Sequence, residues 1–279
     1  IKILKKSSFI TKFFSKKRYP DIYFHSGELD ENSIEFIKNS KFVVTNSFSN
    51  LNLILAKTKI SHEKIKVIYP SVDIKYQKPK ELKEKYKDKI KVLLAYEVDF
   101  LNGFMLDEIL NANVDYLIGS VHFLQNKNEM WGFDNPEFIG VYKSVDIDKI
   151  WEDYFDAIEA MAKTNYFQIV GHLDLIKVFK FLPKKDVRLI AKNALKQIKK
   201  SNMILELNPA GLRKPIGETY PSKALLEEAF DLGINITFGS DAHSVEHVGF
   251  GYSEISSLAK ELGYTKCATF YKKEKIGRA

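Results

Sequence analysis

At 279 residues the chain is long enough for one large domain, or for one domain with a smaller piece attached. Hydrophobic residues at 45% and aromatics at 13% exclude wholesale disorder, and no apolar run reaches the length of a membrane-spanning helix. The net charge of +7 is unevenly spread, with 20 Lys+Arg against 10 Asp+Glu over residues 1–90 and a slightly acidic remainder. A basic N-terminus could meet nucleic acid or an anionic membrane face, but no aromatic-interleaved binding motif accompanies it, so a lysine-rich solvated surface is the simpler reading. The single cysteine, Cys267, excludes an internal disulfide and fits a reducing, cytoplasmic compartment. Residues Ile1 to Arg18 are basic with apolar spots and lack the uninterrupted apolar centre of a signal peptide. An opening isoleucine is what a fragment or processed product would show.

In chain order, residues 1–80 read as α/β, with strands at Phe42–Thr45 and Lys66–Tyr69 flanking a helix near Ser49–Lys57. The stretches Lys41-Phe-Val-Val-Thr-Asn-Ser47 and Lys66-Val-Ile-Tyr-Pro-Ser-Val-Asp73 resemble the middle of a nucleotide-sugar glycosyltransferase of the two-Rossmann-domain type. The donor-binding domain that the resemblance implies does not follow. Pro79 and the charged run Lys80–Lys91 mark a junction, and the expected division is a glycosyltransferase-like segment over 1–85 and a second domain over 86–279.

Beyond Lys91, short β-branched runs alternate with helical stretches, the pattern of β/α units around a parallel sheet. Strands are expected at Lys91–Phe100, Tyr116–Phe123, Phe167–His172, Met203–Asn208 and Asn235–Ser240, with a weaker one near Lys266–Phe270. From Asp146, the residues Ile147, Ile150, Trp151, Tyr154, Phe155, Ile158 and Met161 recur at helical spacing, and a second helix is expected over Lys185–Lys200. Ser222 and Ser253 stand where helix N-caps belong, and Gly233 and Gly263 where helices end.

Glu97, His122, His172 and the pair Asp241/His243 each fall late in, or just after, a separate expected strand. In a β/α barrel, the C-terminal strand ends share one mouth where sites are built. Imidazoles and carboxylates delivered there suit zinc, manganese or iron rather than a thiolate site. A lone histidine near a strand end is ordinarily a packed or surface residue. Three of six at equivalent ends make a metal site the better reading, with His25, His62 and His247 taken as ordinary.

The series Glu-Val-Asp-Phe, Asp-Tyr-Leu-Ile-Gly-Ser-Val-His-Phe, Gly-His-Leu-Asp, Glu-Leu-Asn-Pro-Ala-Gly-Leu-Arg-Lys-Pro, Gly-Glu-Thr-Tyr-Pro-Ser and Gly-Ser-Asp-Ala-His-Ser resembles histidinol-phosphate phosphatases of the polymerase-and-histidinol-phosphatase (PHP) type. The resemblance covers about two-thirds of the chain, in family order. It implies a distorted seven-stranded β/α barrel with up to three divalent ions, and hydrolysis of L-histidinol phosphate, a small phosphate monoester, to L-histidinol and phosphate in histidine biosynthesis. By that resemblance Glu97, His122, His172, Asp241 and His243 are metal ligands, and Asp241, His243 and Arg213 are catalytic. Arg213 grips the phosphate, while Glu218 and Tyr220 shape the substrate pocket. Neither nucleic acid nor an integral membrane segment is implied, and the oligomeric state is left open.

One departure stands out. The family begins with an Asp-x-His-x-His strand and a second ligand-bearing strand, yet no His-x-His occurs anywhere in this chain. The expected fold is therefore an incomplete or distorted seven-stranded barrel with an unrelated N-terminal α/β segment, holding fewer ions than the family's three. Several readings stay open at this point: a phosphatase impaired by missing ligands, a chimeric join of two coding pieces, a degenerate metal binder, a glycosyltransferase-related module, and a replacement of lost ligands by His25.

Overall fold

Apolar runs with two-residue alternation, broken by amphipathic stretches, leave little choice but strands covered by helices. The computed structural model describes residues 22–25, 31–40, 42–45, 54–55, 57–67, 81–126 and 129–278. The chain divides into two units, Ile1–Asp73 and Ile74–Ala279.

In the first unit, β1 (Ile22–His25), β2 (Phe42–Thr45) and β3 (Ile65–Val67) form a parallel sheet of order β1-β2-β3, with helix α1 (Glu31–Asn39) between the first two. Ile37 of α1, Val43, Ile54 and Ile65 make its small core. Lys64 Nζ donates to Lys38 O (2.7 Å), satisfying a carbonyl in the last turn of α1. β2 has the bounds expected from sequence, and β3 begins one residue early. Of the expected helix near Ser49–Lys57, residues 54–55 and 57 are described and helical, as is 58; the others lie outside the described residues.

The second unit is built on five parallel strands: β4 (Ala95–Asp99), β5 (Tyr116–Ser120), β8 (Ile169–Val170), β9 (Ile204–Leu207) and β10 (Ile236–Phe238), in the order β10-β9-β8-β5-β4. All four residues of β9 are buried, as both-face covered parallel strands require. Helices α2 (Ile147–Thr164) and α3 (Val187–Lys200) pack against each other. Ile150, Trp151, Tyr154, Phe155, Ile158 and Met161 of α2 and Ala191, Ala194, Leu195 and Ile198 of α3 share the main core. Each of the larger side chains stabilises by about 1.5–3 kcal/mol on burial. Asp146 caps α2 by accepting from Asp148 N–H, and Asp186 caps α3 by accepting from Arg188 N–H.

A hairpin of β6 (Phe123–Asn126) and β7 (Glu129–Gly132) follows β5 directly, so the expected strand Tyr116–Phe123 is divided in two. Tyr142 anchors the segment behind it: its ring stacks on Phe181 at 4.6 Å, and its hydroxyl lies 3.0 and 3.2 Å from the carbonyls of Phe133 and Ile176. Helices α4 (Lys223–Asp231) and α5 (Tyr252–Glu261) complete the unit. Ser222 is the N-cap of α4, as expected, though without a side-chain cap bond. For α5 the expected Ser253 is displaced: Gly251, at φ +66°, is the N-cap, and Ser253 lies inside the helix. Gly233 and Gly263 follow the helix ends at φ +66° and +100°, where a side chain would be strained.

The strand expected near Lys266–Phe270 is present as β11 (Cys267–Tyr271), but it pairs antiparallel with β12 (Glu274–Arg278) instead of joining the parallel sheet. Ala268 and Phe270 pack on Ile169 and Ile204, with Tyr116 and Ile118 beside them, so the hairpin covers a face of the sheet. Among the described residues no strand closes β10 onto β4, and no helix is long and apolar enough to cross a membrane.

Candidate metal centre

Because β4, β5, β8, β9 and β10 run parallel, their C-terminal ends open on one edge of the sheet. Side chains alternate along a strand, so Glu97 and Asp99 of β4 share a face. Asp99 registers against Ser120 of β5, and His122 follows two residues later. On the far side of β5, β8 passes through Gly171 to His172. A Cβ on Gly171 would lie 2.3 Å from Ser120 Oγ, so the strand can approach this closely only as glycine.

Three side chains converge there. Glu97, His122 and His172 each offer a donor atom, all within 4.8 Å of one another. Glu97 Oε1 lies 2.8 Å from His172 Nε2 and 3.9 Å from His122 Nε2, and it accepts from Ser120 Oγ–H at 2.8 Å. Burial would raise the Glu97 carboxyl, but the hydrogen bond and charge of His172, then Ser120 and His122, hold it down at about 2. Burial would lower His172, but Glu97, with Glu206 and Asp241 behind it, pushes it up to about 9. A proton on His172 thus occupies the lone pair that a cation would take, and metal and proton compete for it. Two imidazoles and one carboxylate converging at a strand-end mouth fit a divalent transition ion.

His172 is 4% exposed and held from behind. Its backbone N–H donates to Glu206 Oε2 (2.9 Å), which also accepts from Asn208 Nδ2 (3.0 Å). Burial raises the Glu206 carboxyl above its usual range. Opposite it, a Cβ on Gly239 would lie 1.8 Å from Glu206 Oε1, so a glycine here leaves room for that carboxylate.

Arg213 ends the 3-10 turn Ala210–Arg213. Its Nη2 donates to the carbonyls of Ser240 (3.1 Å) and Asp241 (3.0 Å), and its guanidinium stacks 4.7 Å from the Phe250 ring. Nη1 is buried with no partner among the described residues.

The model of the PHP domain matches residues 46–210, and that of the PHP-associated region matches 226–262. The chain belongs to the PHP family. A Deinococcus radiodurans protein assigned as a histidinol-phosphatase is 35% identical over 185 residues, covering 65% of this chain and 69% of that protein. The Bacillus subtilis histidinol-phosphatase is 31% identical over 191 residues, covering 61% of this chain and 70% of its own. Among solved structures, a Listeria monocytogenes protein assigned as a histidinol phosphatase aligns at TM-score 0.61 and 23% identity, over 84% of this chain and 99% of its own. The Lactococcus lactis histidinol phosphate phosphatase, complexed with zinc, L-histidinol and phosphate, aligns at 0.59 and 19%, over 92% and 98%. At those identities the two structures show the fold alone. The PHP match begins at residue 46, inside the segment that the sequence resemblance set apart as 1–85.

Of the five ligands expected from PHP resemblance, the structure gathers three. Asp241, at φ +46°, lies near enough to raise His172 but is not part of the cluster. His243 is also outside the cluster, with its side chain 79% exposed and Nδ1 3.0 Å from Asp241 O. His247 is half-buried and also outside the cluster. Neither the His25 side chain, which ends β1, nor that of His62 falls within the described residues. Tyr220 is 1% exposed, its ring 6.5 Å from that of His172, while Glu218 is half-exposed.

Lys177 was not foreseen. At 1% exposure, its ammonium reaches Asp174 Oδ2 (3.0 Å), Glu218 Oε2 (2.6 Å) and Thr219 O (2.8 Å), 5.3 Å from the Tyr220 ring. Burial raises the Asp174 carboxyl to about 6 despite this partner. Lys177 stands three residues after Asp174, the one hint in the sequence that the two meet in a turn. Asp99, Ser120 and Glu206 were also passed over; strand alternation around Glu97, and around the buried β9, could have picked out Asp99 and Glu206.

Proposed function

We propose that this chain is a histidinol-phosphatase, a phosphomonoester hydrolase that converts L-histidinol phosphate to L-histidinol and phosphate in histidine biosynthesis. The observation that carries the reading is the convergence of Glu97, His122 and His172 at the strand-end mouth, in a chain of the PHP family whose curated relatives bear that activity. A divalent ion (zinc, manganese or iron) held by those three would, when bound, polarise a phosphoryl oxygen and acidify water.

The chain's own groups do the rest. Ser120 and His172 hold Glu97 ionised and oriented. Arg213 is locked by two carbonyls and a ring, which leaves Nη1–H to donate to a phosphate oxygen, where a planar guanidinium suits a tetrahedral oxyanion. Because Arg213 grips the backbone at Ser240 and Asp241, phosphate binding is tied to the loop that carries Asp241 and His243. These two are assigned as ligands of a further ion and as catalytic groups. Lys177 fixes Glu218 beside Tyr220, and that pair forms the wall that meets the alcohol part of the substrate.

In this reading the five parallel strands are the arc of an incomplete or distorted seven-stranded barrel over 86–279, and residues 1–279 supply ligands for fewer than three ions. The likeness of residues 1–85 to part of a glycosyltransferase stays a sequence resemblance, and a cytoplasmic location rests on the single cysteine. The test is phosphate release from L-histidinol phosphate with added zinc or manganese. Metal-dependent turnover is expected, reduced by more than about 100-fold in Glu97→Ala. Turnover unaffected by that substitution would sink the assignment.

A further inference from the structure

Asp99 belongs to no step described so far. Its Oδ1 lies 2.5 Å from His122 Nδ1, with the two side chains about one-third and one-fifth exposed. The contact follows from strand geometry, since Asp99 stands opposite Ser120 in the β4–β5 ladder and His122 is two residues further on. An imidazole whose Nδ1–H donates to a carboxylate keeps its Nε2 lone pair free, and here Nε2 is the atom that faces Glu97, at 3.9 Å. The other imidazole of the cluster lacks such a partner among the described residues, for His172 Nδ1 is buried without one there and its ring is placed through the backbone at Gly171 and Glu206.

We propose that Asp99 is the positioning residue of the metal centre: it selects the Nδ1–H tautomer of His122 and aims Nε2 at the ion. The inference rests on the metal reading of the cluster. Carboxylates that orient a metal-bound histidine typically contribute 10–100-fold in metal affinity, because they fix both tautomer and ring angle.

Zinc binding to the full chain, measured by competition with a chromophoric chelator, tests this with Asp99→Ala and Asp99→Asn, alongside melting of each metal-free protein. Asp99→Ala should bind zinc about 10–100-fold more weakly with its metal-free melting unchanged, and Asp99→Asn should fall between, since its amide oxygen still accepts from Nδ1–H. Asp99→Ala binding within about twofold of the unsubstituted protein, or Asp99→Asn as weak as Asp99→Ala, overturns the role of Asp99 while leaving the metal site standing. No zinc uptake by the unsubstituted protein overturns both. Nitrogen-15 correlation spectra of the zinc-loaded unsubstituted protein give a reading that needs no variant. They should show His122 protonated at Nδ1, and protonation at Nε2 would overturn the proposal.

Discussion

Gly239 shows how a residue with no side chain can govern the chemistry of others. The Glu206 carboxylate occupies the space where a β-carbon on residue 239 would be, and from there it holds the backbone N–H of His172. A methyl group 1.8 Å from Oε1 cannot be accommodated without moving the carboxylate, which is itself buried and bonded to Asn208. Gly239→Ala should therefore cost about 1–3 kcal/mol, the range for overpacking a filled interior. Because the displaced group supports His172, zinc affinity should fall as well. Urea unfolding and zinc titration of the same variant check the two parts. A stability loss with unchanged zinc binding would show that Glu206 supports the fold and not the ligand.

At the scale of elements, the β11–β12 hairpin replaces what the sequence reads as a further parallel strand. Alternating apolar residues tell that a segment is extended and half-buried, but not which edge or face it meets. Here Phe270 lies over Ile169 and Ile204 and packs its ring 5.4 Å from that of Tyr116, closing a face that would otherwise be wet. Phe270→Ala should destabilise the second unit by about 3–5 kcal/mol, read as a lower urea midpoint. A loss under about 1 kcal/mol would mean that the hairpin is an ornament on the sheet. The same distinction explains what could be foreseen of the site. Glu97, His122 and His172 were legible because strand ends can be located from periodicity, and the mouth they share follows from parallel order. Alternation places Asp99 and Glu206 on informative faces, but the partners of these two and of Lys177 arise from register and close packing, which one strand's pattern does not contain. Ser253 failed as a cap for a related reason: glycine at positive φ starts α5 two residues earlier, and a serine signal cannot compete with that geometry.

At the scale of the whole molecule, the cluster concentrates carboxylate charge that a cation would offset. Glu97 bonds the His172 imidazole, Glu206 holds the backbone N–H of the same residue, and Asp241 lies near enough to act on it. An ion that binds the folded chain and not the unfolded one contributes RT ln(1 + [L]/Kd), about 2.7 kcal/mol at one hundred times Kd. For a folded unit of this size, that corresponds to roughly 5–10 °C in thermal midpoint. Removing metal with a chelator should lower the midpoint by that amount, and zinc should restore it. Glu97→Ala should start near the chelated value and gain little from zinc. If chelator and zinc move both proteins equally, the ion is acting elsewhere on the chain and the three-ligand cluster is not its seat.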